Sequence, residues 1–255
     1  MKVSLSCIQC NVNNDNKFPN YSFELRDDNT YPITCEYGHE SIVLMESHKF
    51  ELLFEMGMKA MLDGYFREAV SNFAVSIERF HEFSIEVFIQ SLFNIENPYN
   101  VNVLRLDRTS EYNKAWKELG NFSERQLGAY TMLYLSVFKC APELIKQNQV
   151  QFRNKVIHKG YFPTEQETLT YAKYIFTYLQ TKLLELKKNM NEYVEFTYDK
   201  KLREYISVED INGKFLVKWG ELLTFRTLRP VKEIEALDFD EVILERTHGY
   251  KPFNN

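Results

Sequence analysis

Apolar residues recur at helical spacing from Phe50 to Lys188, and no other pattern in the chain leaves so few folds open. Phe50, Leu53, Phe54, Gly57, Ala60 and Met61 form one stripe, which stops at Asp63-Gly64. A longer helix is predicted from about Tyr65 to Phe93, with Ala69, Phe73, Ile77, Phe80, Ser84 and Val87 facing inward. Asn94 to Thr109, containing Pro98, breaks the pattern and reads as a loop. A short helical piece over Ser110–Leu119 is followed by Ser123-Glu124-Arg125-Gln126, a capping-box sequence that opens a helix through Val137. Pro142 suits the first turn of the next helix, where Ile145, Gln149, Phe152 and Val156 share a face and Gly160 ends the run. A second capping box, Thr164-Glu165-Gln166-Glu167, starts a helix that reaches about Lys188. Helices with short joints pack as a bundle, and a chain that is 44% hydrophobic and 15% aromatic has ample material for its core. Tyr171, Tyr174 and Tyr178 read as packing groups, Glu78-Arg79 as a solvated or paired helix surface, His48 and His81 as structural, and Cys140 as a small buried hydrophobe.

The segment before Phe50 follows a different rule. Cys7-Ile8-Gln9-Cys10 and Cys35-Glu36-Tyr37-Gly38-His39 are two short ligand pairs with zinc-ribbon spacing. Tyr21, Phe23 and Leu25 alternate with polar residues, and Ser41 to Met45 forms a second extended run. Short strands clipped by a metal would suffice. Cys7, Cys10, Cys35 and His39 would fill all four positions of a closed, structural zinc site with no role in catalysis, and His48 is a reserve ligand; the alternative is three unrelated reduced thiols beside a surface histidine.

After Asn191 the pattern loosens. Extended runs are expected over Tyr193–Tyr198, Glu204–Val208, Lys214–Trp219 and Leu222–Leu228, with an Asn212-Gly213 turn, and Asp238–Glu245 reads as a strand or a helix. Glu233, Glu235, Asp238, Asp240, Glu241 and Glu245 read as a solvated acidic face; a sharper reading docks them on a basic patch. The expected organisation is therefore mainly α: residues 1–47 a zinc-ribbon-like segment, 48–191 a helical bundle, and 192–255 a small β-rich appendage with an acidic end.

A net charge of −5 excludes general attraction to nucleic acid or acidic membranes, so such binding requires a local patch. One exists: Leu144 to Thr164 contains no Asp or Glu but includes Lys146, Arg153, Lys155 and Lys159. The start of the chain lacks the apolar core of a secretion signal and no stretch is long enough to span a bilayer, which points to the cytoplasm.

Within that patch, Arg153-Asn154-Lys155-Val156-Ile157-His158 puts an arginine, an amide and a histidine near the end of a helix. An arginine can hold phosphate oxygens and a histidine can move protons. Residues four apart on a helix differ by about 40°, and residues five apart by about 140°. Asn154 and His158 therefore share a face that Arg153 does not. A single helix cannot readily aim Arg153 and His158 at one phosphate unless the arginine reaches round, the helix end unwinds at Gly160, or a second copy supplies half the site, as a homodimer cleft would.

These residues resemble the HEPN (higher eukaryotes and prokaryotes nucleotide-binding) family, whose catalytic members carry Arg, often a polar residue next, and His four to six positions later near a helix end. The resemblance extends to Gly64-Tyr65-Phe66-Arg67-Glu68-Ala69-Val70 leading into a long helix with Glu78, and to the helix entered through Pro163-Thr164; it spans roughly residues 48 to 190. One toxin branch places Tyr two residues after the His, and this chain departs from it because Lys159-Gly160 precede Tyr161. The resemblance implies a bundle that dimerises along the motif helix and a metal-independent endoribonuclease, commonly a toxin or phage-defence effector. In that scheme the RNA 2′-hydroxyl attacks the adjacent phosphate, His158 is general acid/base, Arg153 stabilises charge on phosphate and Asn154 orients, with Lys155 and Lys159 as substrate-binding groups. RNA, a second copy, and an antitoxin or defence-complex component are the expected partners. The competing expectation is a non-catalytic dimeric module that binds nucleic acid, a nucleotide or a protein.

Overall fold

The computed structural model describes residues 2–7, 9–10, 20–45, 47–92, 110–120, 122–204, 215–219 and 223–248. The expected loop at Asn94–Thr109, all but the first residue of the run at Glu204–Val208, and the Asn212-Gly213 turn lie outside them.

Two small sheets precede the helices. β1 (Lys2–Ser6) and β2 (Asn20–Glu24) pair antiparallel with Val3 opposite Phe23, while β3 (Thr30–Thr34) and β4 (Glu40–Met45) form a second antiparallel pair with Tyr31 opposite Val43. Val3, Leu5, Tyr31, Ile33, Val43 and Met45 form a buried cluster with Leu52 and Leu223, so strand alternation directs one side chain in two toward the helices.

The helical part begins with α1 (Lys49–Leu62) and α2 (Phe66–Leu92), close to the predicted spans. Their axes approach so tightly at Gly57 that a Cβ there would stand 2.6 Å from the Phe73 ring, and only glycine admits that contact. Gly64, at φ +83°, makes the turn between them. α3 (Ser110–Gly120) and α4 (Ser123–Phe138) follow. The expected capping box at Ser123 does not form: Gln126 is buried, donates to the Gly120 carbonyl at 3.1 Å and accepts from Arg79 at 3.2 Å. α5 (Gln147–Lys159) starts later than Pro142, because residues 141–146 are non-helical and the Lys146 amide donates to the Tyr174 hydroxyl at 2.9 Å. Cys140 is exposed rather than buried, since Lys139 ends α4 in the left-handed region and turns the chain outward.

α6 (Glu165–Glu204) is the spine of the bundle. The Thr164 box forms in both directions, with the Glu167 amide donating to Thr164 Oγ1 at 3.2 Å and the Thr164 amide to Glu167 Oε2 at 2.9 Å. Where sequence periodicity ends near Lys188 the helix kinks at Met190 (φ −153°) and then resumes, so Tyr193–Tyr198 is helical and not extended. Asn189 donates to the Glu185 carbonyl and Asn191 to the Glu195 carboxylate on either side of the kink, the local competition that asparagine brings to a helix. Phe50, Phe54, Phe73, Phe80, Phe88, Tyr130, Leu179 and Leu183 are fully buried between α1, α2, α4 and α6.

The C-terminal part is less β-rich than expected. Its one strand among the described residues, β5 (Phe215–Trp219), lies parallel to β4 at the edge of the second sheet, and α7 (Val231–Glu235) and α8 (Phe239–His248) follow. Residues 223–228 are not a strand but a buried polar clamp on α1. Glu51 accepts from the Thr227 amide at 2.5 Å and hydroxyl at 2.6 Å, Glu55 accepts from the Thr224 amide, and Arg246 reaches Glu55 at 3.2 Å. Lys187 donates to the Thr227 carbonyl at 2.6 Å. Side chains so distant in sequence leave no local signal for strand or helix. The acidic end pairs with lysines of α6, Asp240 with Lys173 at 2.6 Å and Glu235 with Lys188 at 2.5 Å, rather than with the basic patch. No described helix is long and apolar enough to cross a membrane.

Candidate functional site

Near the sheets, the segments after β1 and β3 bring Cys7, Cys10, Cys35 and His39 together so that one ligand atom from each lies within 4.8 Å of all the others. Cys10 Sγ stands 3.7 Å from Cys35 Sγ and 3.3 Å from His39 Nδ1, and Cys7 Sγ stands 3.9 Å from the same nitrogen. A tetrahedral ion with metal–sulfur bonds of about 2.3 Å requires sulfurs about 3.8 Å apart, so the donor set and its spacing fit a metal ion. All three thiols are buried and free of disulfides. Burial and the neighbouring thiols push Cys10 up to about 12, while at Cys35 burial is outweighed by the His39 and Tyr37 amides, which hold its thiol below the usual value. A divalent cation would displace these protons and replace thiol crowding with four bonds. His48 is not part of the group. It is buried at the start of α1, 4.4 Å from the Phe83 ring and 4.6 Å from the Tyr198 ring.

The second candidate site lies on α5. Only Val156 of this helix is fully buried, so α5 is anchored by a narrow contact, with Phe152 packed 5.4 Å from the Tyr171 ring. Arg153 points into a cavity of about 400 Å³ between α2, α4, α5 and α6. Its Nη2 donates to Glu78 Oε1 at 2.5 Å and its Nη1 to Asn154 Oδ1 at 3.0 Å. Both members of the Arg153–Glu78 pair are about one-quarter exposed, so water screens the pair and it contributes at most about 1 kcal/mol to stability. Glu78 is thus the paired helix-surface carboxylate expected of it, and its partner is the arginine of the motif.

His158 is elsewhere. It lies exposed in the last turn of α5, beside exposed Lys159, and is not among the residues that line the Arg153 cavity. Gly160 closes the helix at φ +68°, as its position predicts. The joint to α6 is held by a chain of contacts: Lys155 Nζ sits 3.3 Å from the centre of the Tyr161 ring, and the Tyr161 hydroxyl donates to Glu167 at 3.0 Å. The Thr164 amide and the Tyr161 hydroxyl hold the Glu167 carboxyl below its usual range, so the joint is intact at neutral pH.

Sequence reading did not connect His81 or Tyr171 with this site. Both are buried and both line the Arg153 cavity. His81 Nε2 is 2.9 Å from the Tyr178 hydroxyl and the ring stacks on Tyr130 at 4.3 Å, where burial lowers its pKa to about 3 and keeps it neutral. The sequence marked them only as a structural histidine and a packing tyrosine.

A helical bundle with an arginine-lined cavity, a histidine at the neighbouring helix end and a separate Cys3His cluster is therefore the class of protein defined here. The chain is 26% identical over 165 residues to the CRISPR-associated endoribonuclease Cas13a of Leptotrichia buccalis, an alignment covering 64% of this chain and 12% of the relative. The similarity is distant and spans a small part of the relative's length. No family model and no solved structure matches the chain.

Proposed function

We propose that this protein is a metal-independent endoribonuclease of the HEPN type that acts as a toxin or phage-defence effector in the cytoplasm. The observation that carries the reading is Arg153 and Asn154 at a solvent-open cavity with His158 exposed one turn further on, in a chain distantly similar to an endoribonuclease. In this reading the guanidinium of Arg153 holds a phosphate and stabilises its developing charge. His158 accepts the 2′-hydroxyl proton or protonates the leaving 5′-oxygen. Asn154 orients Arg153, and Lys155 and Lys159 contribute to phosphate binding. Because Arg153 and His158 face different sides of α5, a homodimer supplies one residue from each copy, and an antitoxin or defence-complex component controls the result.

Cys7, Cys10, Cys35 and His39 would hold zinc, which supports the sheets and takes no part in cleavage. The donor atoms fit a closed tetrahedral site with no position left for water. A resident zinc ion is assayed by metal analysis of the purified protein.

The test is incubation of the pure protein with end-labelled RNA in EDTA, with circular dichroism showing that the chelator leaves the bundle folded. The reading expects cleavage that Arg153→Ala and His158→Ala each abolish. No cleavage, or cleavage indifferent to His158→Ala, overturns it. The ion pair of Arg153 with Glu78 favours a second reading, a non-catalytic module in which Arg153 braces α5 against α2. That module would leave RNA intact, and Arg153→Ala would lower its melting temperature or its affinity for a partner.

A further inference from the structure

We propose that the cavity behind Arg153 is a base pocket, which admits one unpaired nucleobase beside the phosphate held by Arg153 and recognises its edge through the Tyr171 hydroxyl. The inference rests on the ribonuclease reading for its ligand class and goes beyond it in naming where specificity resides.

The cavity has a defined depth. Leu127, Leu144 and Gln147 at its rim are exposed, while Ala74, His81 and Tyr171 at its floor are buried. Its volume of about 400 Å³ falls in the range of small-molecule clefts, about 300–1,000 Å³. Most of the wall is apolar, and Glu78 and Glu124 also line it, so a second phosphate would be repelled. A neutral planar group fits this wall, with the charged phosphate left at the Arg153 edge.

Of the polar residues in the lining, Tyr171 and His81 are buried at the floor and keep an atom for an occupant. Tyr171 is 3% exposed, and its hydroxyl has no hydrogen-bond partner among the described residues. The oxygen is not among the fully enclosed unpartnered atoms, so it opens on the cavity and is available to an occupant. Burial, only partly opposed by the Arg153 charge, pushes the phenol above its usual range, so it stays protonated and can both donate and accept. His81 spends Nε2 on the Tyr178 hydroxyl, which leaves Nδ1 as its second edge, a donor in one tautomer and an acceptor in the other. Arg153 keeps donors to spare: two of its five N–H groups go to Glu78 and Asn154. Apolar walls, an aromatic ring and a few directed polar atoms are the means by which splayed-out RNA bases are held.

The experiment measures binding of short 2′-O-methyl oligonucleotides of A, C, G or U, and of an abasic strand of equal length, by fluorescence anisotropy at one fixed salt concentration. The methyl group blocks the attacking hydroxyl, so binding is read without cleavage. At least one base is expected to bind about 10-fold tighter than the abasic strand. Tyr171→Phe, which removes one oxygen, lowers that ratio by about 3- to 10-fold and leaves abasic binding within about twofold. Ile145→Trp, which fills the cavity, abolishes the ratio, and Ile145→Phe replaces it if the tryptophan variant melts early. Arg153→Ala weakens all strands in parallel. A ratio near one in the wild type, or a ratio that survives Tyr171→Phe or cavity filling, overturns the proposal. A base preference that depends on Tyr171 in a protein that cleaves no RNA would refute the ribonuclease reading alone; His158-dependent cleavage with no Tyr171-dependent preference would refute the pocket alone.

Discussion

The Cys3His cluster and the α5 motif are both visible as reactive residues at telling spacing, yet the fold treats them differently. The four ligands converge within 4.8 Å, whereas Arg153 lines a cavity that His158 does not reach. The four Cys and His side chains come from two short segments, one after β1 and one after β3, and each segment brings its own pair. A helix cannot do this for residues five apart, because its rotation per residue separates them by about 140°. The comparison teaches that spacing is a complete statement of geometry in a turn and a half-statement on a helix, where the other half comes from whatever packs against the end.

The largest effect expected at the α5 site is catalytic. His158→Ala should reduce RNA cleavage by about 10²- to 10⁴-fold, the range for loss of a general acid/base. Mixing inactive Arg153→Ala with inactive His158→Ala should restore part of the activity if one copy supplies each group, and no recovery would break the composite site. At the metal cluster, Cys10→Ser should remove bound zinc, read by elemental analysis, and destabilise the sheet region by several kcal/mol, on the order expected for a structural ligand. Amide exchange should accelerate in β1 to β4 while α2 and α6 stay protected; uniform loss would show that the two regions do not fold independently.

A smaller effect follows from His81. Its folded pKa, down at about 3, lies below the value of about 6.5 for the unfolded chain. The unfolded state therefore takes up a proton that the folded state refuses, and stability present above about pH 6.5 is lost as pH falls toward 3. The slope is at most about 1.4 kcal/mol per pH unit, and denaturant melts at stepped pH should show it diminished in His81→Gln. The smallest effect is at Glu78. Glu78→Gln should cost less than about 1 kcal/mol in stability, because the ion pair is partly exposed, and should tighten RNA binding a few-fold by freeing Arg153. Weaker binding would instead make Glu78 a group that positions the arginine.

The helices with clear apolar stripes were legible to within a few residues: α1, α2 and the first part of α6 begin and end near Asp63-Gly64, Tyr65, Thr164 and Lys188 as the pattern predicts. The grouping of Cys7, Cys10, Cys35 and His39 was legible because each pair is close in sequence. In the C-terminal part the strand at Phe215–Trp219 formed as expected, but two runs were misread. Tyr193–Tyr198 has strand-forming side chains but continues a helix packed on the core, and residues 223–228 are held by carboxylates of α1, whose positions no local window contains. Pro142 and the Ser123 box failed for the same reason, since Tyr174 and Arg79 reach across from other helices.

By itself, the sequence determined the periodicities, the capping of α6, the stop at Gly160, and the presence of an arginine, an amide and a histidine along one short helix. These follow from interactions within a few residues of one another. The tertiary structure alone decided that Arg153 meets Glu78, that His81 and Tyr171 stand in the same cavity, and that His158 faces solvent. The physical reason is that pairing and burial depend on which helices come into contact, and those contacts join residues far apart along the chain.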